Sequence, residues 1–270
     1  MKAKVKTLLD RLGLREWIWD SLFYFVWLRL ANRPAYENMR SQVSFYRGIR
    51  DNFGMNCDLW FDVGANVGNK TAIFQHFCSK VIAVEPDPIN FSILQRRFRI
   101  RRGVTLVQAA VGKMSGRDSL TRPLGSDGAI STLSPKQLKC LVQNTRFEMT
   151  ERAISGHQYE VVVVTLDQLI LKHGMPSYIK VDVEGYEREV FGGLTRTVAW
   201  MSFEANLPDF EDETIACLEH YNSLVKQARF NYVVAEPPTF VGDRWISVEE
   251  ISSVVRSKRY LYMEIHCRQS

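Results

Sequence analysis

Three acidic residues stand where strands are expected to end. Asp182 and Glu184 flank Val183 in IKVDVEGYE, and Glu204 closes the apolar run WMSFEAN. Two more acids stand beside turns. Asp62 opens the glycine turn FDVGANVGN, and Glu85 follows the apolar run in VIAVEPDP. A carboxylate at the end of a strand can accept both hydroxyl protons of a ribose, which is the chemistry open to Glu85. A carboxylate immediately before a glycine turn repels a pyrophosphate and suits an ammonium group, which is the chemistry open to Asp62. Asp182 and Glu184 would share one face of a continuing strand, where one acid can raise the pKa of the other and make a general base.

The turn itself narrows the ligand. It carries Gly64, Ala65, Asn66 and Gly68. A dinucleotide turn uses G-x-G-x-x-G, so that backbone and helix N-terminus can meet a pyrophosphate. Here Asn66 stands where the second of those glycines would be. An acid for a ribose, an acid for a cation and no phosphate cradle fit S-adenosylmethionine better than NAD. Other readings of the acids stay open. Glu184 can accept backbone N–H groups at the turn before a helix. Two or three of Asp182, Glu184 and Glu204 can hold Mg²⁺ or Ca²⁺, whose ligands are oxygens. Nothing beyond that cluster indicates a metal, and none is assigned.

These residues need a scaffold that brings strand ends together. DLWFDVG, KVIAVEPDP and VTLVQAAVG read as buried strands, with helices over NKTAIFQHFCS and INFSILQRRFRIR between them. Strand–helix alternation of this kind argues for a parallel, doubly wound α/β sheet. An excursion rich in Gly, Ser and Thr runs from Gly112 to Glu160 and is a candidate for substrate selection. YEVVVVTLDQLILKHG and SYIKVDVEGYEREVFGGL each give a strand and a helix. WMSFEAN is a further strand, DETIACLEHYNSLVKQARF a helix, and NYVVAE and RYLYMEIHC closing strands. Asp167 in TLDQL is expected to cap its short helix. The basic run RRFRIRR is expected to be a solvated helix end.

Composition excludes several classes. With 46% hydrophobic residues the chain can bury a substantial core. A net charge of +5, without a dense basic face interleaved with aromatics, argues against nucleic acid as a partner. Five cysteines, none at C-x-x-C spacing, argue against a disulfide framework and fit a reducing cytoplasm. A helix over AYENMRSQVSFYRGIRDNFG should end at Gly54. Residues 1–54 read as a helical extension and residues 55–270 as one domain. The aromatic run WIWDSLFYFVWLRL is too short to span a bilayer, which needs roughly 20 apolar residues. Residues 10–30 suit a helix packed on the core or on a second copy of the chain. They also suit a peripheral membrane helix, with Trp17, Trp19 and Trp27 at headgroup depth and Lys2, Lys4 and Lys6 near anionic lipid.

FDVGANVGN, AVEPDP, AAVG, VTLDQL and YIKVDVEGYEREVFGGL, in that order, resemble the FkbM-type S-adenosylmethionine-dependent methyltransferases. The resemblance runs from about Leu59 to Asn206. It implies a Rossmann-like methyltransferase sheet of seven strands, the last inserted antiparallel, and methyl transfer to a hydroxyl oxygen of a sugar, glycan or secondary metabolite. It implies that Asp62, Gly64, Ala65, Asn66 and Gly68 border the methionyl moiety and that Glu85 holds the ribose. Pro86 or Asp87 would border the adenine, and Asp182 and Glu184 would close the site. Asp182, Glu184 and Glu204 are the candidate catalytic residues. A nicotinamide-dependent oxidoreductase and a non-catalytic Rossmann-like binding module are the competing expectations.

Overall fold

The computed structural model describes residue 30 and residues 32–126, 130–143, 150–235 and 238–270. Most of the segment 10–30, with its membrane and self-association readings, lies outside them. Helix α1 (Arg33–Phe53) starts at Asn32, whose side chain accepts the Ala35 N–H, and stops at Gly54 in the left-handed region with φ 60°. Glycine takes that φ without the cost a Cβ adds, so the helix ends where the sequence predicts.

Strands β1 (Leu59–Val63), β2 (Lys80–Val84) and β3 (Val104–Val107) follow, linked by helices α2 (Asn69–Phe74) and α3 (Pro88–Phe98). The segment VTLVQAAVG is not one strand. It breaks after Val107, and β4 (Ala110–Val111) leaves the main sheet to pair with another strand. Within the excursion come β5 (Gly116–Arg122), α4 (Pro135–Gln143), α5 (Glu151–Ile154) and the start of β6 (His157–Val164). These strands form a separate sheet in the order β4-β6-β5. YEVVVV therefore joins this small sheet and not the large one, pairing antiparallel with β5 and parallel with β4.

The chain returns through α6 (Leu166–His173) to β7 (Tyr178–Val181), then α7 (Glu187–Gly192), β8 (Trp200–Asn206), α8 (Glu211–Leu224) and β9 (Arg229–Val233). It ends with α9 (Val248–Arg256) and β10 (Tyr262–Arg268). The large sheet has seven strands in the order β3-β2-β1-β7-β8-β10-β9. The pairs from β3 to β8 are parallel, and β10 is antiparallel to both its neighbours. The expected sheet with its last strand inserted antiparallel is thus present. Helix α9 was not anticipated, although Ser247 and Glu250 form the reciprocal cap that an S-x-x-E spacing signals.

The two faces of the sheet differ. On one face Phe61, Ile179, Met201 and Ile265 pack in the large apolar core, with Leu166 of α6, Phe191 of α7, Leu218 of α8 and Ile251 of α9. On the other, Asp62, Lys180, Ser202 and His266 lie side by side across β1, β7, β8 and β10. Below that polar row Trp60 and Tyr178 pack on Tyr46 of α1 and Phe74 of α2. Among the described residues no helix is long and apolar enough to cross a membrane.

Candidate active site

A cleft opens beyond the C-terminal ends of β1, β2 and β7. This is where ligands bind in open α/β sheets. The glycine turn shapes its floor. Gly64 has φ 82°, and a Cβ there would come within 1.7 Å of the Asp182 carbonyl oxygen. Gly68 has φ 85°, and a Cβ there would lie 2.4 Å from the Phe98 ring. Each glycine lets another element come close: the end of β7 in one case, α3 in the other. Arg97 secures the same junction. It is 5% exposed, and its Nη1 donates to Val67 O at 2.8 Å and to Asn69 Oδ1 at 2.9 Å. The run RRFRIRR is therefore not wholly solvated, since one of its arginines faces inward to the turn.

Glu85 lies at the cleft edge and is 4% exposed. Its Oε2 accepts the Asn66 N–H at 2.7 Å and its Oε1 accepts the Asp87 N–H at 2.9 Å. Burial nevertheless pushes this carboxyl up to about 7. The two backbone donors fix the plane of the carboxylate while each oxygen keeps a free lone pair. Gly64, Asn66 and Pro86 line the cleft with it, whereas Ala65 and Gly68 do not. The opposite wall includes Ala109, Ala110 and Val111, brought there by the break between β3 and β4, and Ser131 and Leu133 from the excursion.

Asp62 and Asp87 do not line this cleft. Asp62 is 1% exposed and accepts the Thr71 hydroxyl at 2.5 Å, beneath the turn. Burial pushes its pKa up, opposed by the charge of Lys180. Asp87 is fully buried. Its Oδ1 accepts the N–H groups of Ile89 and Asn90 at 2.8 and 3.2 Å, capping α3. Its Oδ2 accepts from Arg122 Nη1 and from the Ser131 hydroxyl, both at 2.7 Å. Burial raises its pKa, but the bonds from Ser131 and Arg122 prevail and hold it below the usual range. Asp87 therefore joins the excursion to the start of α3.

The three candidate catalytic acids meet. One carboxylate oxygen from each of Asp182, Glu184 and Glu204 lies within 4.8 Å of the others. The reason is not a shared strand face. β7 ends at Val181, and Glu184 sits in a left-handed turn with φ 53°, followed by Gly185 with φ 84°. Glu204 comes from the adjacent strand β8. The backbone N–H groups of the turn are accepted by Glu187, at 3.1 Å from Val183 and 3.4 Å from Gly185, and not by Glu184. Asp182 and Glu184 line the cleft, and Thr132 donates its hydroxyl to the Glu184 carbonyl at 2.7 Å.

Electrostatics separates the three acids. Burial raises Asp182, but Lys180, with Nζ 2.6 Å from Asp182 Oδ2, holds its pKa below the ordinary value. Burial pushes Glu184 up to about 8, with Asp182 and Glu187 adding repulsion. Burial and the charge of Asp182 push Glu204 well above its ordinary value. Lys180, 4% exposed, went unremarked in the sequence, although a lysine inside a short buried strand is itself a signal of a buried ion pair. Asn90, Ser131 and Tyr186 also line the cleft without having been singled out. Asp167 does not cap α6. Thr165 does so, reciprocally with Gln168, and Asp167 instead accepts the Thr195 N–H and hydroxyl.

The profile of the family described as "Methyltransferase FkbM domain" matches residues 62–233. The hexuronic acid methyltransferase AglP of Haloferax volcanii is 28% identical over 154 residues, which cover 54% of this chain and 54% of that protein. The aligned region thus spans about half the length of that relative. Among solved structures, a precorrin-6y C5,15-methyltransferase of Geobacter metallireducens shares 12% identity, with 79% and 80% of the two chains covered and a TM-score of 0.39. The tRNA (m1A58) methyltransferase TrmI of Aquifex aeolicus shares 12% identity, with 85% and 68% covered and a TM-score of 0.38. The family match covers more than half of the chain and runs from Asp62 of the glycine turn to the end of β9, so the protein belongs to the FkbM methyltransferase family.

Proposed function

We propose that this protein transfers the methyl group of S-adenosylmethionine to a hydroxyl oxygen of a sugar or glycan. The observation that carries this reading is one cleft lined both by a buried, backbone-oriented Glu85 carboxylate and by Asp182 and Glu184, which Glu204 joins from the adjacent strand. The first suits a ribose diol and the second a cationic methyl donor beside a proton-bearing nucleophile. The sugar acceptor is the class that the name of the Haloferax volcanii relative suggests.

S-adenosylmethionine, when bound, supplies an electrophilic methyl carbon on a sulfonium, and the protein supplies position and electrostatics. Glu85 would accept the ribose hydroxyls. Pro86 and the apolar wall of Ala109–Val111 and Leu133 would border the base, with Asp87 acting from behind through Ser131 and α3. Gly64 and Asn66 would lie along the methionyl part. Asp62, tied to Thr71, would set the turn and act on the ammonium group through its charge alone. As the carbon–oxygen bond formed and the methyl–sulfur bond broke, with the thioether S-adenosylhomocysteine as leaving group, the hydroxyl proton would pass to a carboxylate of the acidic cluster. Residues 55–270 would form the catalytic domain and residues 1–54 an extension, whose helix α1 reaches the sheet where the Tyr46 hydroxyl donates to Glu264 at 3.4 Å.

The test is calorimetric titration of S-adenosylmethionine, S-adenosylhomocysteine and NAD into wild type and Glu85→Ala. The expected result is binding of the first two, weakened at least about a hundredfold in the variant through loss of hydrogen bonds to a charged acceptor. Binding of NAD alone would instead favour the oxidoreductase reading.

A further inference from the structure

We propose that Asp182, Glu184 and Glu204 together hold a hard divalent cation. Their facing carboxylate oxygens lie within 4.8 Å of one another. Any three points so spaced leave a position no more than about 2.8 Å from each, close to the roughly 2.3–2.6 Å of Ca²⁺–oxygen contacts and a small side-chain adjustment from those of Mn²⁺ or Mg²⁺. The donor set is all oxygen, with no histidine or cysteine, which selects these cations over Zn²⁺ or Cu²⁺.

A second observation is independent of that spacing. Glu204 Oε2 is buried and has no hydrogen-bond partner among the described residues. Other buried carboxylates around the sheet are provided for: Asp62 by Thr71, Glu85 by two backbone N–H groups, Glu187 by Val183 and Gly185, Glu264 by Ser202. Buried polar atoms in folded proteins rarely stay unpartnered, and a bare carboxylate oxygen on a member of an acidic cluster calls for a positive ligand. Among the described residues the cluster makes one ion pair, Lys180 with Asp182.

Asp182 and Glu184 line the cleft, so the ion would face an arriving acceptor hydroxyl and lower its pKa. That consequence rests on the methyl-transfer reading; the cation site itself rests on the three carboxylates alone. The test titrates metal-free full-length protein with Mn²⁺ and reads free Mn²⁺ by electron paramagnetic resonance, with Ca²⁺ and Mg²⁺ as competitors. Binding of S-adenosylhomocysteine is followed separately by calorimetry on the same samples. The expected result is one Mn²⁺ per chain, displaced by Ca²⁺, with affinity at least about tenfold weaker in Glu204→Gln and in Glu184→Gln. Circular dichroism checks that each variant is folded; Glu184 lies on a turn, so its variant serves if the β8 variant does not fold. No saturable uptake up to about 1 mM Mn²⁺, or uptake unchanged in a folded variant, overturns the proposal. Uptake of S-adenosylhomocysteine without Mn²⁺ removes the cation and leaves the methyl-transfer reading standing. Uptake of Mn²⁺ without S-adenosylhomocysteine supports the cation and removes the cofactor assignment.

Discussion

Glu85 makes a pH-dependent prediction that its geometry quantifies. The carboxyl is 4% exposed, faces no cation within bonding distance among the described residues, and lies near Asp87 and Asp62, whose charges add to the effect of burial. Its pKa rises from 4.5 to about 7. The folded protein therefore binds this proton more tightly than the unfolded chain does. The associated stability is full below pH about 4.5 and is lost as pH rises through about 7; the total is about 3 kcal/mol at 1.36 kcal/mol per unit. Cofactor binding should run the opposite way, because only the ionised carboxylate offers an acceptor to both ribose hydroxyls. Affinity for S-adenosylhomocysteine should fall about tenfold for each unit of pH below about 7 and level off above it. Calorimetry between pH 5.5 and 8.5, in buffers of differing ionisation enthalpy, should show about one proton released on binding below the plateau. Glu187 and Glu184 also titrate near this range, so Glu85→Gln is the necessary control. It should bind weakly and lose most of the slope. A wild-type affinity indifferent to pH, or the same slope in Glu85→Gln, would refute the role assigned to this carboxylate.

Two further predictions concern the scaffold. Gly64→Ala should destabilise the fold by more than about 4 kcal/mol, because the new methyl meets the Asp182 carbonyl oxygen at 1.7 Å in a left-handed backbone; urea denaturation should find the variant unfolded or nearly so, and a midpoint close to wild type would show that the turn can open. Asp87→Ala removes a helix cap and strands Arg122 beside the cleft, for an expected loss of about 3–5 kcal/mol by the same assay. Unchanged stability with lost cofactor affinity would instead place Asp87 against the adenine.

Much of the site was legible before any coordinates. The acids at strand ends, the glycine turn and the order of strands and helices are local features, set by apolar run length, turn chemistry and helix caps. Val107 shows where that reading fails. Nothing in VTLVQAAVG marks a break, because Ala and Val suit either sheet; the chain divides there since β4 has a partner in β6, a contact far along the sequence. The excursion could be recognised as irregular, but not as the wall that delivers Ser131 and Arg122 to Asp87.

The sequence alone determined the local features: the glycine turn with Asn66 inside it, the acids in and just after the apolar runs, and the strand–helix order of a doubly wound sheet. Only the tertiary structure decided which groups face each other. Glu204 joins Asp182 and Glu184 because β8 is the parallel neighbour of β7, not through any spacing along the chain. The two glycines are required by Asp182 and Phe98, which belong to other elements. Periodicity and turn propensity are properties of neighbours in sequence. Strand pairing, burial and charge balance depend on neighbours in space, and these set the pKa of Glu85 and leave Glu204 without a hydrogen-bond partner.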